Sequence, residues 1–249
     1  MNFLRAIILI VSVFVLSSCV ATTAQKQADA SLRFKMGQVY FSETKYSLAL
    51  KELISAVELH PDEPSYRHLL GLTYFTRKKY DEAAVHLEEA VRLRPDFADA
   101  SVNLGVVYLR LGRLDEAVEL FNQALENVFY ATPEVAHYNL GCAYYEKGSY
   151  RQSIVHFKRT VSINNKYALA FNNMGLAFDK LGMLDKAERS YRSAVKNEPR
   201  FAAAYFNLGE VLLKKKKRRA SLAAFRKVVE LAPQSEKARN ARDYIDLLR

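Results

Sequence analysis

The chain has 249 residues, with 37 basic against 27 acidic side chains and a net charge of +10. So basic a chain has nucleic acid as its default partner in the cytosol, but no nucleic-acid-binding motif is present. Catalysis is also disfavoured. His60, His68, His86, His137 and His156 show no metal-ligand spacing among themselves or with Cys142, and no cofactor, metal or small-molecule substrate is expected.

At the N-terminus Arg5 precedes an apolar run from Ala6 to Leu16, broken only by Ser12. The run is short for a bilayer span and fits the hydrophobic region of a signal peptide over 1–18. It ends in Leu16-Ser17-Ser18-Cys19, which resembles the lipobox of bacterial lipoproteins and marks Cys19 for lipidation. Other readings are an uncleaved anchor, or cleavage at Ala24 without a lipid. In lipoproteins of this kind, Val20 rather than Asp after the acylated cysteine implies transport to the outer membrane, facing the periplasm. Residues 19–29 read as a lipidated tether with no large apolar side chain after Val20. With Cys19 acylated, Cys142 is the remaining thiol and no intramolecular disulfide forms; it is either reactive or, more simply, a small apolar residue.

From residue 30 the chain repeats itself. Gly37, Gly71, Gly105, Gly141, Gly175 and Gly209 fall at intervals of 34, 34, 36, 34 and 34. With each glycine at position 8, the units are 30–63, 64–97, 98–133, 134–167, 168–201 and 202–234. Position 11 is Tyr40, Tyr74, Tyr108, Tyr144, Phe178 and Leu212, and position 20 is Ala49, Ala83, Ala117, Ser153, Ala187 and Ser221. Position 24 is Leu53, Leu87, Phe121, Phe157, Tyr191 and Phe225, and position 32 is proline at Pro61, Pro95, Pro199 and Pro233. These landmarks resemble the tetratricopeptide repeat (TPR), a helix–turn–helix unit. The resemblance implies an all-α fold: a right-handed TPR superhelix, or α-solenoid, of six helical hairpins and a C-terminal capping helix.

The small residues at positions 8 and 20 are expected to meet where helices A and B of a repeat cross, with the rings at 11 and 24 filling the layer between repeats. Proline at 32 ends helix B. The acids at Asp81-Glu82 and Asp115-Glu116 suit the first turn of helix B. Ser235 is placed to cap the last helix, 235–249, whose Ala238, Ala241, Tyr244, Ile245 and Leu248 recur at helical spacing.

Solenoids bind other chains on a long surface, which in TPR proteins is lined by positions 2, 5, 6, 9, 12 and 13 of helix A. Positions 2 and 5 hold no Lys or Arg in any repeat, so the carboxylate clamp of TPR co-chaperones is absent. An apolar groove is expected from Leu72, Val102, Val106, Val135, Tyr138, Leu169 and Leu176. Position 6 carries Asn103, Asn139, Asn173 and Asn207. This row either holds an extended peptide through its main chain, as in other TPR proteins, or bonds the neighbouring helix.

The 36-residue interval adds two residues in the segment Asn127–Pro133, where Thr132 can cap and Pro133 can open the next helix. Phe129 and Tyr130 lie on this loop with no evident core position, which makes them functional candidates. The run Lys214–Arg219 reads as a solvated turn, or as a patch attracted to acidic headgroups or an acidic partner.

Lipobox, tether, six repeats and the segment Phe129-Tyr130-Ala131-Thr132-Pro133-Glu134 followed by Tyr138-Asn139-Leu140-Gly141 are similar to the type IV pilus pilotins, the PilF/PilW/Tgl group. The resemblance implies a non-enzymatic outer-membrane lipoprotein that binds secretin subunits and promotes their localisation and assembly. The alternative is a periplasmic adaptor docking peptidoglycan enzymes or envelope-assembly machinery at the outer membrane.

Overall fold

The computed structural model describes residues 23–248; the signal segment and Cys19 lie outside them. Among the described residues there are thirteen helices and no strands. They are α1 (23–42), α2 (Tyr46–Leu59), α3 (Pro64–Thr76), α4 (Tyr80–Leu93), α5 (Ala98–Leu111), α6 (Leu114–Glu126), α7 (Pro133–Glu146), α8 (Tyr150–Ile163), α9 (Ala168–Lys180), α10 (Leu184–Asn197), α11 (Ala202–Lys214), α12 (Arg218–Leu231) and α13 (Glu236–Leu247). None is long and apolar enough to cross a membrane. The first helix begins earlier than the repeat phase requires. Residues 23–29 are its exposed opening turns, because Gln25, Lys26 and Ala28 are good helix formers that extend a helix already nucleated below them.

The chain divides between Arg113 and Leu114 into two units, one holding α1–α5 and the other α6–α13. In the first, Ala49, Leu53, Ala56, Tyr66 and Leu70 form a buried cluster closed by Phe34 and Tyr74. In the second, Phe157, Met174, Phe178, Tyr191, Leu208 and Leu212 carry the core through three repeats.

Position 24, rather than position 20, fills the space that the glycine at position 8 leaves. A Cβ on Gly141 would stand 2.5 Å from the Phe157 ring, and one on Gly37 would stand 2.6 Å from Leu53. The ring or leucine at 24 therefore packs against the A helix of its own repeat, and Phe225 also meets the helix that follows, stacking on Tyr244. Position 20 still touches the crossing: the Ser221 hydroxyl donates to the Gly209 carbonyl at 2.8 Å.

Every A helix closes in the same way. Position 15 is left-handed in all six repeats, with φ between 58° and 76° at Thr44, Lys78, Gly112, Gly148, Gly182 and Lys216. The N–H of the residue after it returns to the carbonyl of position 11, as in Lys45 to Tyr40 at 2.9 Å and Lys217 to Leu212 at 2.9 Å. This is the Schellman closure, and it sets the angle at which helix B departs.

The C-terminal cap forms from its own signals. The Ser235 hydroxyl accepts from the Ala238 N–H at 3.1 Å, and Ala238, Ala241 and Ile245 bury against Phe206, Phe225 and Val228. Tyr244 lies flat on Phe225, with centroids 4.7 Å apart. This covers the apolar face that a last repeat would otherwise expose.

Candidate functional site

The A helices carry the candidate surface, and in both units it is built from a recurring seam between successive A helices. Position 6 of one repeat reaches position 5 of the repeat before it. Asn103 Nδ2 lies 2.8 Å from His68 Nε2, Asn173 Nδ2 donates to the Tyr138 hydroxyl at 3.1 Å, and Asn207 Nδ2 donates to Asn172 Oδ1 at 2.9 Å. The bond from Asn172 Nδ2 to Asn173 Oδ1 at 3.1 Å joins the last two into one relay running from α11 through α9 to α7. Three of the four asparagines at position 6 thus spend a donor on the neighbouring helix. Asn139 is half-buried and makes no such bond among the described residues, so its carboxamide keeps donor and acceptor unspent on the neighbouring helix.

A second recurrence comes from the residue just before each A helix. Phe97 packs on His68, with centroids 4.7 Å apart, and Tyr167 stacks on Tyr138 at 5.0 Å. The Arg94 guanidinium lies 3.6 Å above the Phe97 ring centroid. Burial pulls the His68 pKa down to about 4, so the ring is neutral near pH 7 and its Nε2 accepts from Asn103. Burial, then the neighbouring Cys142, pushes the Tyr138 phenol well above its usual range. The hydroxyl stays protonated and serves as a hydrogen-bonding group, not a base. Position 34 was not singled out from sequence, although Phe97, Tyr167 and Phe201 stand in phase there.

The expected apolar groove separates into accessible and buried members. Val102 is 4 % exposed and belongs to the core, a correction to its place on the groove. Position 5 lies at the seam between A helices, and a valine is too short to rise out of it as His68 and Tyr138 do. Leu72, Val106, Val135, Tyr138 and Leu176 are half-buried, and Tyr138 and Leu176 also lean on the core of the second unit. Leu169 is 45 % exposed. Cys142 is a half-buried free thiol, with Asn173 Nδ2 at 3.7 Å.

Beside this face, the loop of the longer interval is tied into a turn. Asn127 Oδ1 accepts from the Phe129 N–H at 2.9 Å and the Asn127 carbonyl from the Tyr130 N–H at 3.0 Å. This Asx arrangement presents Val128 and Phe129 outward, 87 % and 91 % exposed, while Tyr130 is half-buried. Tyr130 is among the groups acting on the Tyr167 phenol, with burial as the largest cause. The loop therefore adjoins the Tyr138–Tyr167 stack. Thr132 occupies the N-cap of α7 but makes no capping bond; Pro133 opens that helix as expected.

The basic run at the turn between α11 and α12 is largely spent within the second unit. Lys214 pairs with Asp179 at 2.6 Å, Lys215 with Asp185 and Glu188, Lys217 with Glu188 at 3.0 Å, and Arg218 Nε donates to the Leu248 carbonyl at 2.7 Å. It is a clamp between repeats five and six rather than a free solvated turn. Among the described residues no group of three or more His, Cys, Asp or Glu is placed to hold a metal ion.

Three tetratricopeptide-repeat family models match residues 74–129, 141–182 and 172–236. A model of anaphase-promoting complex, cyclosome, subunit 3 matches residues 12–90. Among solved structures the chain is similar to PilW, described as a widely conserved type IV pilus biogenesis factor, with TM-score 0.79, 19% identity, and coverage of 86% of this chain and 98% of that one. It is also similar to pilF of Pseudomonas aeruginosa, with TM-score 0.75, 16% identity, and coverage of 88% and 99%. Among curated proteins it resembles the small glutamine-rich tetratricopeptide repeat-containing protein 2 of Mycosarcoma maydis, 29% identical over 35% of this chain. It spans a quarter of that relative's length.

Proposed function

The chain belongs to the tetratricopeptide-repeat family, whose members bind peptide partners, and on that premise we propose that it is a non-enzymatic pilotin of type IV pilus biogenesis. In this reading Cys19 carries the lipid that holds the protein on the periplasmic side of the outer membrane. The A-helix face takes an apolar or amphipathic segment of a secretin subunit, and the bound subunit is brought to the membrane where it multimerises. The observation that carries the reading is the loop after α6. The only break in the glycine period is also where a held turn projects Phe129 into solvent beside the Tyr138–Tyr167 stack. A large apolar side chain fixed in water is a marker of an interaction surface, and this is the segment that resembles the pilotin insertion.

Leu169 and the stacked tyrosines offer apolar area, and Asn139 offers a free donor and acceptor to an extended main chain. The lipobox and the fold likeness to two type IV pilus proteins over nearly their full lengths support the same assignment. The test is Cys19→Ser in the native cell. The repeat domain should stay folded but leave the outer membrane, and secretin should remain monomeric on SDS gels. SDS-resistant multimers at the normal level in that strain would overturn the proposal.

A further inference from the structure

Position 23 on the B helices departs from the repeat in a way that opens a second site. In repeats two and four it is a histidine lying flat on the tyrosine at position 11. His86 stacks on Tyr74 with centroids 5.4 Å apart, and His156 on Tyr144 at 5.3 Å. In repeat five the residue is Ser190, and position 11 is Phe178. The ring is missing, and the space is a trough of about 300 Å³ floored by Phe171 and Phe178.

The rim is cationic. Lys158 reaches it from α8, while Lys186, Arg189 and Ser190 share one face of α10 at helical spacing. No acidic residue lines it. Lys158 and Arg189 make no ion pair, in contrast to the lysines of the 214–217 clamp, and the Lys186 ammonium stands 5.7 Å from the Phe178 centroid. Ser190 is 5 % exposed and lines the trough.

We propose that this trough binds an acidic side chain of a partner polypeptide. The carboxylate of an Asp or Glu is held by Lys158, Lys186, Arg189 and the Ser190 hydroxyl, and an apolar neighbour in the partner covers Phe171 and Phe178. A lone phosphate fits less well. A bare anion would leave the apolar floor uncovered. The excess of positive charge on the chain draws an acidic partner in. The cations come from the B helices α8 and α10 and the floor from α9, at positions 4 and 11, which are not groove positions, so the site uses neither the lipid nor the groove.

The test is fluorescence anisotropy on the full chain in non-ionic detergent. The probe is a labelled peptide alternating Glu with Phe and Leu, compared with its Gln-for-Glu counterpart. The acidic peptide should bind at least about tenfold more tightly, with an affinity that falls as salt rises. Ser190→His restores the ring found in repeats two and four and should weaken binding about tenfold. The exposed triple variant Lys158→Ala, Lys186→Ala and Arg189→Ala, which tests the site even where Ser190→His disturbs packing, should abolish both binding and its salt dependence. Unchanged affinity in the triple variant, or equal binding of the Gln peptide, would overturn the proposal. So would displacement of the peptide by equimolar inorganic phosphate. Vesicles of phosphatidylglycerol that bind wild type but not the triple variant, with no peptide binding, would assign the trough to lipid instead.

Discussion

Thr44→Gly should stabilise the protein, although it removes a side chain from an ordered turn. Thr44 holds φ at 59°, a conformation that costs an L-residue about 1–2 kcal/mol, with β-branched residues at the upper end. Glycine adopts it freely but carries about 0.5–1 kcal/mol more unfolded-state entropy. The difference leaves a net gain of about 0.5–1 kcal/mol, or about 1–4 °C in melting temperature for a chain of this size. Thr44 is exposed, so no packing is lost. The reciprocal change is equally clean. Gly182 has φ of 70°, and a Cβ there would meet nothing within 4 Å, so Gly182→Ala should lose about 1 kcal/mol through the backbone alone. Urea titration followed by far-UV circular dichroism measures both. Repeat arrays need not unfold in one step, so amide exchange of Lys45, whose N–H closes the turn, gives the local reading. A destabilised or unchanged Thr44→Gly would refute the claim that the turn, and not the residue filling it, dictates the left-handed angle.

Leu169→Asp should leave the melting temperature within about 1–2 °C of wild type and abolish recovery of the partner in a pull-down from native membranes, whereas buried Val102→Asp should cost more than about 3 kcal/mol and fail by unfolding. Glu188 is buried, which alone would raise its pKa, but Lys215, Lys217 and Arg192 outweigh burial and hold it below the ordinary carboxylate range. Its contribution is therefore complete at neutral pH and is lost on acidification through that lowered pKa, and Glu188→Gln should cost about 2–3 kcal/mol at pH 7 by leaving the three cations facing one another, measured by calorimetry. Burial and His137 lower the His156 pKa from 6.5 to about 4. The unfolded chain then takes up the proton first, so stability drops as pH falls between those values. His156→Phe should remove about 1–2 kcal/mol of that drop, after discounting for the half-exposed ring, in melts at pH 7 and pH 4.

The repeat phase was legible because it is written in residues whose identity is forced. Only glycine fits against Phe157 or Leu53 at position 8, and proline at position 32 marks the end of helix B in four repeats. The left-handed position 15 was not legible as a row, because three of its six members are Thr44, Lys78 and Lys216. A turn closed by backbone bonds tolerates them at a cost, so the alphabet gives only half the signal. The same limit applies at the groove. Val102 and Leu169 are both aliphatic residues on A helices, and exposure differs because position 5 sits in a seam while position 2 does not. Ion pairing was hidden for another reason. Asp115 and Lys147, or Glu188 and Lys215, come together because position 14 of one repeat reaches back to the opening of the previous B helix. That is a property of packing between repeats, not of either segment.

What distinguishes this chain from a generic array of helical hairpins lies in the places where the period fails, and each failure has a physical consequence. Two added residues after α6 turn an inter-repeat connection into a held loop with Phe129 in solvent. A serine where two other repeats place a stacked histidine leaves a trough bordered by Phe171 and Phe178. The surplus of positive charge follows the same logic. Lys214, Lys215 and Lys217 are consumed by Asp179, Asp185 and Glu188, so they offer little to a partner despite forming the densest basic run in the sequence. Lys158, Lys186 and Arg189 are scattered in sequence, yet helix packing brings them to the rim of one trough that no acidic residue lines. Unpaired cations around an apolar floor bind; paired ones fasten repeats together. The two roles separate in a salt titration, since exposed charges are screened within about 10 Å at moderate ionic strength while the largely buried Glu188 cluster is protected. Added salt should therefore weaken acidic-peptide binding steeply while moving the melting temperature little.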